Sequence, residues 1–140
     1  GGDWVDGLRG GTGDDILIGG SGNDVMRGDA GADTFKWTVG DQAAVGSVVT
    51  EATDIIMDFG MTGGDNDVLD LSDLLIGEDS GNITQYLTFS QSGSDTTIAI
   101  DHDNSGNVTQ EIILQDVSLA GTDQQIIDAL LAGNNLIVDQ

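Results

Sequence analysis

The sequence contains no cysteine, so neither a disulfide nor a thiolate metal site can hold the chain together. Stabilisation must come from packing or from an ion bound by oxygen ligands. Basic residues are nearly as scarce, with 3 Lys or Arg against 25 Asp or Glu and a formal net charge of -22. Such a surface repels phosphate backbones and anionic lipid. We therefore expect neither nucleic-acid binding nor membrane insertion.

The basic residues all lie at the start of the chain, at Arg9, Arg27 and Lys36. From residue 37 to the end, the carboxylates have no lysine or arginine in the same region, so only bound cations can relieve their mutual repulsion. The acidic residues are mostly Asp, whose short side chain keeps the carboxylate close to turn carbonyls with which it can share an ion. Calcium is the cation that fits such ligands.

The sequence also offers little for catalysis. His102 is the only histidine, which excludes zinc sites built on several histidines and leaves a serine triad only one possible base. We predict no enzyme activity. The chain opens at Gly1 without an initiator Met, signal peptide or apolar membrane span, so we expect a fragment of a longer protein.

A nine-residue repeat dominates the first quarter of the chain. It is visible in GGTGDDILI (10–18), GGSGNDVMR (19–27) and GDAGADTFK (28–36), which match the pattern G-G-x-G-x-D-x-U-x. A degenerate copy, GGDWVDGLR (1–9), precedes them. Six residues of each repeat form a turn and three a short strand, so two repeats complete one coil of a parallel β-roll. The eighth position points inward and the ninth outward; the inward residues are Leu8, Leu17, Met26 and Phe35.

The roll predicts two calcium sites. Turns on the same side lie two repeats apart, so Asp6 should stack on Asp24 and Asp15 on Asp33 at about 4.7–4.9 Å. Two carboxylates at that distance repel by about 3–4 kcal/mol at an effective dielectric of 20, and a bridging Ca²⁺ reverses the sign. Turn residues would complete the oxygen shell. The turn candidates are Gly10, Thr12, Asp14, Gly19, Ser21, Asn23, Gly28 and Ala30.

Three positions depart from the repeat pattern. Trp4 and Gly7 do so in the first repeat and Asp29 in the last. The pair Asp15 and Asp33 is therefore the better-formed of the two predicted sites.

The repeats resemble those of RTX proteins, and the sequence after them is similar to the type I secretion target domain best known from large bacterial RTX adhesins. The motifs that carry the second resemblance are GADTFKW (31–37), DIIMDFG (54–60), GGDNDVLDLSDLLIG (63–77) and LLAGNNLIVD (130–139). The resemblance implies Ca²⁺ as cofactor, folding outside the cell, and a C-terminal signal that contacts the type I secretion apparatus transiently. It also implies a secreted or bacterial cell-surface location.

Two alternatives stay open at this point. One is a ligand-binding adhesive domain in which Trp4, Trp37 and Tyr86 contact a sugar or surface. The other is the tail of a secreted RTX protease or lipase. The low aromatic content, 4%, favours packing roles for the three aromatic residues.

The predicted fold is all-β, with a calcium-binding β-roll over 1–36 and a mostly antiparallel β domain with one short C-terminal helix over 37–140. We expect a monomer. Residues 38–53 lack a pattern and predict a loop, and residues 54–59 a strand. Three further segments alternate with a period of two and predict antiparallel strands: 83–90, 96–102 and 108–115.

The C-terminal helix has clear boundaries in the sequence. Thr122 and Gln125 predict a capping box at its start, and Gly133 predicts its end. Its predicted apolar side consists of Ile126, Ile127, Leu130 and Leu131.

Further aspartates are candidates for calcium ligands or for ordinary turn carboxylates. One group of candidates, which could frame a further calcium ion, consists of Asp54, Asp58, Asp65, Asp67 and Asp70. The connection 101–107 resembles the start of an EF-hand loop through Asp101 and Asp103, but the twelfth position is Ile112 rather than Glu. This pattern favours a hairpin turn that holds calcium weakly.

Overall fold

The computed structural model describes residues 5–38, 52–62, 65–75, 83–101, 104, 106, 108 and 110–138. Most of the loop predicted over 38–53 lies outside the described residues, as do Trp4, His102 and Asp103. In the described ranges the chain is mostly strand. The strands are β1 (Gly7–Thr12), β2 (Ile16–Ile18), β3 (Val25–Ala30), β4 (Thr34–Thr38), β5 (Ala52–Ile56), β6 (Met61–Thr62), β7 (Asp65–Asn66), β8 (Val68–Asp73), β9 (Leu87–Ser92), β10 (Asp95–Ile100), β11 (Gln110–Leu114) and β12 (Leu136–Ile137).

The first four strands form the predicted parallel β-roll. They alternate between two sheets, because β1 pairs in parallel with β3 and β2 with β4. Leu8 lies opposite Met26 and Leu17 opposite Phe35, an offset of two repeats. The turn between β1 and β2 uses left-handed backbone at Gly13, with φ 106°, a conformation that glycine adopts without steric cost.

Parallel coiling continues beyond the nine-residue repeats. Strand β5 pairs with β3 and β8 pairs with β4, and β11 and β12 then add to the same two sheets in parallel. Strand β10 pairs antiparallel with β11, and β9 pairs antiparallel with β10, which completes the larger sheet in the order β1-β3-β5-β11-β10-β9. The smaller sheet has the order β12-β8-β4-β2. The all-β class is confirmed. The domain boundary after Lys36 stays a prediction. Both sheets contain strands from before and after this boundary.

The core lies between the two sheets. Leu17, Met26 and Phe35 are buried, as predicted for the eighth position, and Leu8 packs against them at the open end. Ile56 and Leu69 lie opposite Met26 and Phe35 in the added coils and are also buried. Each added coil therefore extends one continuous apolar stack, which is how repeat folds gain stability.

Two of the predicted strands differ from the structure by more than two residues at one end, whereas β10 and β11 match the segments predicted over 96–102 and 108–115 to within two residues. The strand predicted over 83–90 begins only at Leu87, because Ile83–Gln85 form a short 3-10 helix. The spacing of four between Ile83 and Leu87 fits a helical turn as well as a strand. The strand predicted over 54–59 is β5, which ends at Ile56, and Phe59 instead packs its ring 6.2 Å from that of Phe35.

The single α-helix, α1 (Asp123–Ala132), begins with the predicted capping box. The Gln125 backbone N–H donates to Thr122 Oγ1 at 3.3 Å, and the Thr122 N–H donates to Gln125 Oε1 at 2.9 Å. Ile126, Ile127 and Leu130 are buried, but the prediction was wrong for Leu131, which is 39% exposed.

The buried stripe of α1 is thus narrower than the run of apolar residues. Leu131 lies about 100° around the helix from Leu130 and falls outside the packed face. No helix among the described residues has the length and apolar character needed to cross a membrane.

Candidate metal centre

Six aspartates form two stacks along the roll, which we call carboxylate ladders, each aspartate being one rung. The first ladder consists of Asp6, Asp24 and Asp54, and its rungs are joined by backbone-to-carboxylate hydrogen bonds. The Asp6 N–H donates to Asp24 Oδ1 at 2.9 Å, and the Asp24 N–H donates to Asp54 Oδ1 at 2.7 Å. Each rung therefore fixes the backbone of the rung before it.

The second ladder, on the other side of the roll, repeats this arrangement with Asp15, Asp33 and Asp67. The Asp15 N–H donates to Asp33 Oδ1 at 2.9 Å, and the Asp33 N–H donates to Asp67 Oδ1 at 2.8 Å. The structure thus brings together Asp6 with Asp24 and Asp15 with Asp33, the two pairs that the repeat predicts to stack.

The third rungs were not predicted as part of the ladders. Asp54 follows Asp24 by 30 residues and Asp67 follows Asp33 by 34, rather than the 18 that separate the first two rungs. A signal was nevertheless present, since every rung opens the triplet Asp-x-apolar whose third residue faces the core. The triplets DII (54–56) and DVL (67–69) match DVM (24–26) and DTF (33–35), although neither belongs to a nine-residue repeat.

The glycine that opens each repeat lets the carboxylate approach the turn closely. A Cβ placed on Gly28 would lie 2.0 Å from Asp33 Oδ2, and one on Gly19 would lie 2.6 Å from Asp24 Oδ2. A Cβ on Gly10 would lie 2.8 Å from both Asp15 Oδ2 and the Gly28 carbonyl oxygen. Oxygens from two successive turns therefore converge beside Gly10.

Two of these carboxylate oxygens lack a donor. Asp15 Oδ2 and Asp33 Oδ2 are buried and accept no hydrogen bond within the described part of the chain. Asp33 is 0% exposed, and burial raises the pKa of its carboxyl, while the hydrogen bond from the Asp15 backbone opposes that rise. A buried carboxylate oxygen without a hydrogen-bond donor or counter-ion destabilises the folded state, and a bound cation removes that destabilisation. A set of carboxylate and carbonyl oxygens is the ligand chemistry of Ca²⁺.

Comparison with known proteins agrees with this chemistry. The family model of the RTX calcium-binding nonapeptide repeat matches residues 1–35 in four copies. The chain carries RTX repeats. These repeats bind calcium, so Ca²⁺ is the cofactor of this part of the chain. A comparison with curated proteins finds no match.

Two solved structures of similar fold are parts of one enzyme, the mannuronan C5-epimerase of Azotobacter vinelandii. The solution structure of its AlgE6R3 subunit is 22% identical, covers 98% of this chain and 80% of that chain, and superposes with a TM-score of 0.58. The solution structure of the AlgE6R2 subunit is 24% identical, and the match covers 99% of this chain and 90% of that chain with a TM-score of 0.46. The likeness to AlgE6R3 shows that the β-roll and its continuation form a known fold.

Half of the predicted turn ligands lie between strands, namely Asp14, Gly19, Ser21 and Asn23. The other half lie in strands, Gly10 and Thr12 in β1 and Gly28 and Ala30 in β3, because these two strands have six residues rather than the three predicted for each repeat. Asp14 Oδ1 accepts the Ala32 N–H at 2.9 Å, so this side chain joins successive turns. Asn23 Oδ1 likewise accepts the Thr53 N–H at 2.9 Å. Thr12 lies opposite Ala30 in the parallel register, and the Ala30 carbonyl accepts the Gly13 N–H at 2.7 Å. Ser21 is half-buried in the turn that precedes Asp24.

The third rungs differ from the first two in their donors. Asp54 Oδ2 accepts the Trp37 indole N–H at 2.7 Å and the Gln110 side-chain amide at 3.0 Å. Asp67 Oδ2 accepts the Gly60 backbone N–H at 2.7 Å. Burial raises the pKa of both Asp54 and Asp67 to about 6, and the hydrogen bonds to each carboxylate limit the rise.

The basic residues of the RTX repeats pair outside the roll. Asp29, with φ 69° where the three earlier repeats have glycine, contacts Arg9 and lies 2.9 Å from Arg27 Nε. The hydrogen bond from Arg9 lowers the pKa of Asp29. Lys36 Nζ lies 2.8 Å from Asp73 Oδ2. Ion pairs with two arginines therefore stabilise Asp29 at a position where the repeat pattern has glycine.

The other candidate aspartates do not assemble into one site. Asp58 accepts the Gly28 and Asp29 backbone N–H groups at 2.9 and 2.8 Å, and Asp70 accepts the Ser72 hydroxyl at 2.6 Å. Asp65 Oδ1 accepts the Gly31 N–H at 3.2 Å. In the part of the chain that the structure describes, no three or more His, Cys, Asp or Glu side chains gather as a metal cluster.

The connection between β10 and β11 contains one described carboxylate. Asp101 is buried, and its Oδ2 accepts the Gly106 N–H at 2.6 Å, as expected for a turn aspartate. Asp103 lies outside the described residues. Calcium binding by this turn stays a prediction.

Proposed function

We propose that this chain is a non-enzymatic, calcium-dependent folding and export module of an RTX protein secreted by the type I route, and that it works outside the cell. The observation that supports it most strongly is the pair of buried oxygens, Asp15 Oδ2 and Asp33 Oδ2, which have no donor within the described residues. In this proposal one Ca²⁺ binds between Asp15 and Asp33 and another between Asp6 and Asp24.

Calcium would then decide whether the roll folds. At a free concentration of roughly 100 times Kd, each site adds about 2.7 kcal/mol of stability. Two sites would add roughly 5 kcal/mol, comparable to the whole stability of many domains, which is about 5–15 kcal/mol. At the low free calcium of the cytosol that contribution is lost, and the chain stays unfolded enough to be threaded through a secretion channel.

The proposed shared site can be tested with Asp15→Asn, Asp33→Asn and the double variant. Each single change should weaken one calcium-binding step by about tenfold or more, because a buried charged ligand is lost. The double variant should lose less binding free energy than the sum of the two single losses, since both residues bind the same ion. Isothermal titration calorimetry measures all three.

Asp128→Asn is the matched control, because it removes a carboxylate from an exposed position on α1. It should leave calcium binding unchanged. Strict additivity of the Asp15 and Asp33 losses would contradict a shared ion.

The C-terminal segment is proposed to carry the secretion signal, on the resemblance of LLAGNNLIVD (130–139) to that of RTX secretion target domains. In the folded chain this segment packs into the body of the molecule. Strand β12 pairs with β8, and the buried Leu136 and Val138 belong to the core. An export apparatus would reach such a signal only while the chain is unfolded, which agrees with folding after export.

Removing residues 122–140 should therefore abolish export through a type I system, measured as the fraction of chain in the medium. The full-length Asp33→Asn variant is the control. It should be exported as well as the unchanged chain, because export precedes calcium binding. Export of the truncated chain at the full-length level would contradict the secretion assignment.

The two alternatives differ in how the structure bears on them. Trp37 is 0% and Tyr86 4% exposed, so neither offers a surface for an adhesive ligand, while Trp4 lies outside the described residues. The second alternative is the tail of a secreted RTX protease or lipase. The similar fold of the AlgE6R3 subunit, which is part of an epimerase, favours attachment to a secreted enzyme without favouring either of these two. The complete coding sequence of the secreted parent protein distinguishes an adhesin from an enzyme.

A further inference from the structure

The third rung of the first ladder has both carboxylate oxygens hydrogen-bonded to protein groups. Asp54 is 0% exposed, and its carboxylate accepts three N–H donors. The Asp24 backbone donates to Oδ1 at 2.7 Å, and Trp37 Nε1 and Gln110 Nε2 donate to Oδ2 at 2.7 and 3.0 Å. Both oxygens of this buried carboxylate are therefore satisfied without a cation.

Asp33, at the second rung of the other ladder, is the contrasting case. It is equally buried, yet its Oδ1 accepts one N–H and its Oδ2 accepts none within the described residues. A cation can approach Asp33 Oδ2 without displacing a hydrogen bond. At Asp54 Oδ2, the positive ends of two N–H dipoles already occupy that place, and displacing them would leave a buried indole N–H without an acceptor.

Asp54 also controls the geometry of the rung before it. Its Oδ1 holds the Asp24 backbone, and the Asp24 carboxylate holds the Asp6 backbone at 2.9 Å. A hydrogen-bond chain thus runs from Trp37 and Gln110 through Asp54 to the pair Asp6 and Asp24. A group that fixes Asp54 fixes the place where that pair presents its oxygens.

We propose that Asp54, held by Trp37 and Gln110, is a metal-free end to the first ladder and positions Asp24 for the cation bound between Asp6 and Asp24. This inference rests on the proposed function. Trp37 and Gln110 are positioning residues, since they act on the site through Asp54. The first ladder then binds one cation, between its first two rungs.

The second ladder provides an internal control. Its third rung, Asp67, is held by backbone donors, the Asp33 N–H at 2.8 Å and the Gly60 N–H at 2.7 Å. The side-chain donors of Trp37 and Gln110 are directed instead at Asp54, in the first ladder. A side-chain substitution at Trp37 should therefore weaken the first site and spare the second.

The experiment uses the full chain and its Trp37→Phe variant, with calcium alone as the probe. The substitution keeps an aromatic ring but removes the N–H. Backbone amide signals around Asp6 and Asp24, and around Asp15 and Asp33, report the two sites separately in a calcium titration followed by NMR. We expect about tenfold weaker binding at the first site and no change at the second.

The Trp37 indole N–H signal of the unchanged protein is a second readout. It should keep the downfield position and slow exchange of a hydrogen-bonded group at saturating calcium. Loss of that bond on calcium saturation would show that the cation binds Asp54, which would overturn the proposal.

Phe59→Leu is the matched control for general loosening, because Phe59 is a buried aromatic of the same core and carries no side-chain donor. Because its ring packs against Phe35, beside the second ladder, Phe59→Leu should not weaken the first site selectively. Equal weakening of both sites by Trp37→Phe, or no weakening of the first, would contradict the positioning role. Absence of calcium binding in the unchanged chain would instead contradict the proposed function, so the two failures are distinguishable.

Discussion

Removing calcium should convert this chain from a β-rich fold to a largely unfolded one. The formal net charge is -22, and the region after Trp37 contains no Lys or Arg to neutralise its carboxylates. Within the roll, Asp15 Oδ2 and Asp33 Oδ2 are buried without a donor in the described part of the chain. Loss of the cations leaves this repulsion and burial uncompensated. Far-UV circular dichroism in millimolar calcium and in EGTA measures the change.

Magnesium at the same concentration is the control for simple charge screening. Mg²⁺ demands rigid octahedral geometry and dehydrates reluctantly, so it should restore little of the β signal. Fluorescence of Trp37, buried where the roll meets the following strands, gives a second probe in a Trp4→Phe background. Coincident transitions by both probes would indicate that the roll and the following strands fold as one unit. A β-rich spectrum that EGTA leaves unchanged would contradict calcium-controlled folding.

Much of the roll could be predicted from the sequence, because its register depends only on the repeat length. A period of nine with two repeats per coil places Leu8 on Met26 and Leu17 on Phe35, as the structure shows. The coils that follow could not be placed this way. They are added at offsets of 30 and 34 residues, and no fixed period links Asp54 or Asp67 to the earlier rungs.

The donors around the third rungs were beyond sequence reasoning for a different reason. Trp37 precedes Asp54 by 17 residues and Gln110 follows it by 56, so only the folded sheets bring the three together. A buried tryptophan also looks like ordinary core in a sequence. What the sequence did contain was the Asp-x-apolar triplet, which recurs at Asp54 and Asp67 after the nine-residue repeats have ended.

Replacement of Gly28 by alanine should disable the second ladder. The added Cβ would lie 2.0 Å from Asp33 Oδ2 and 2.7 Å from Asp33 Cγ, closer than Cβ atoms approach other atoms in folded proteins. The Asp33 carboxylate must therefore move, which breaks the 2.9 Å bond from the Asp15 N–H and displaces the oxygen proposed to bind calcium. We expect a loss of about 2–4 kcal/mol in the free energy of unfolding, from overpacking and one lost hydrogen bond. Calcium affinity at this site should fall by at least about tenfold.

Gly7→Ala is the matched control for this substitution. Gly7 lies in β1 of the same roll, and its φ is outside the left-handed region. Among the described residues, no heavy atom lies within 4 Å of the position that a Cβ would take there. This change should alter stability by less than about 1 kcal/mol and leave both calcium sites intact. Gly10→Ala, with its contact at 2.8 Å, should fall between the two. Urea unfolding at saturating calcium and calorimetric titration measure the series. Equal calcium affinity for Gly28→Ala and Gly7→Ala would show that the position of the Asp33 carboxylate does not determine binding, and the second ladder would lose its assignment as a cation site.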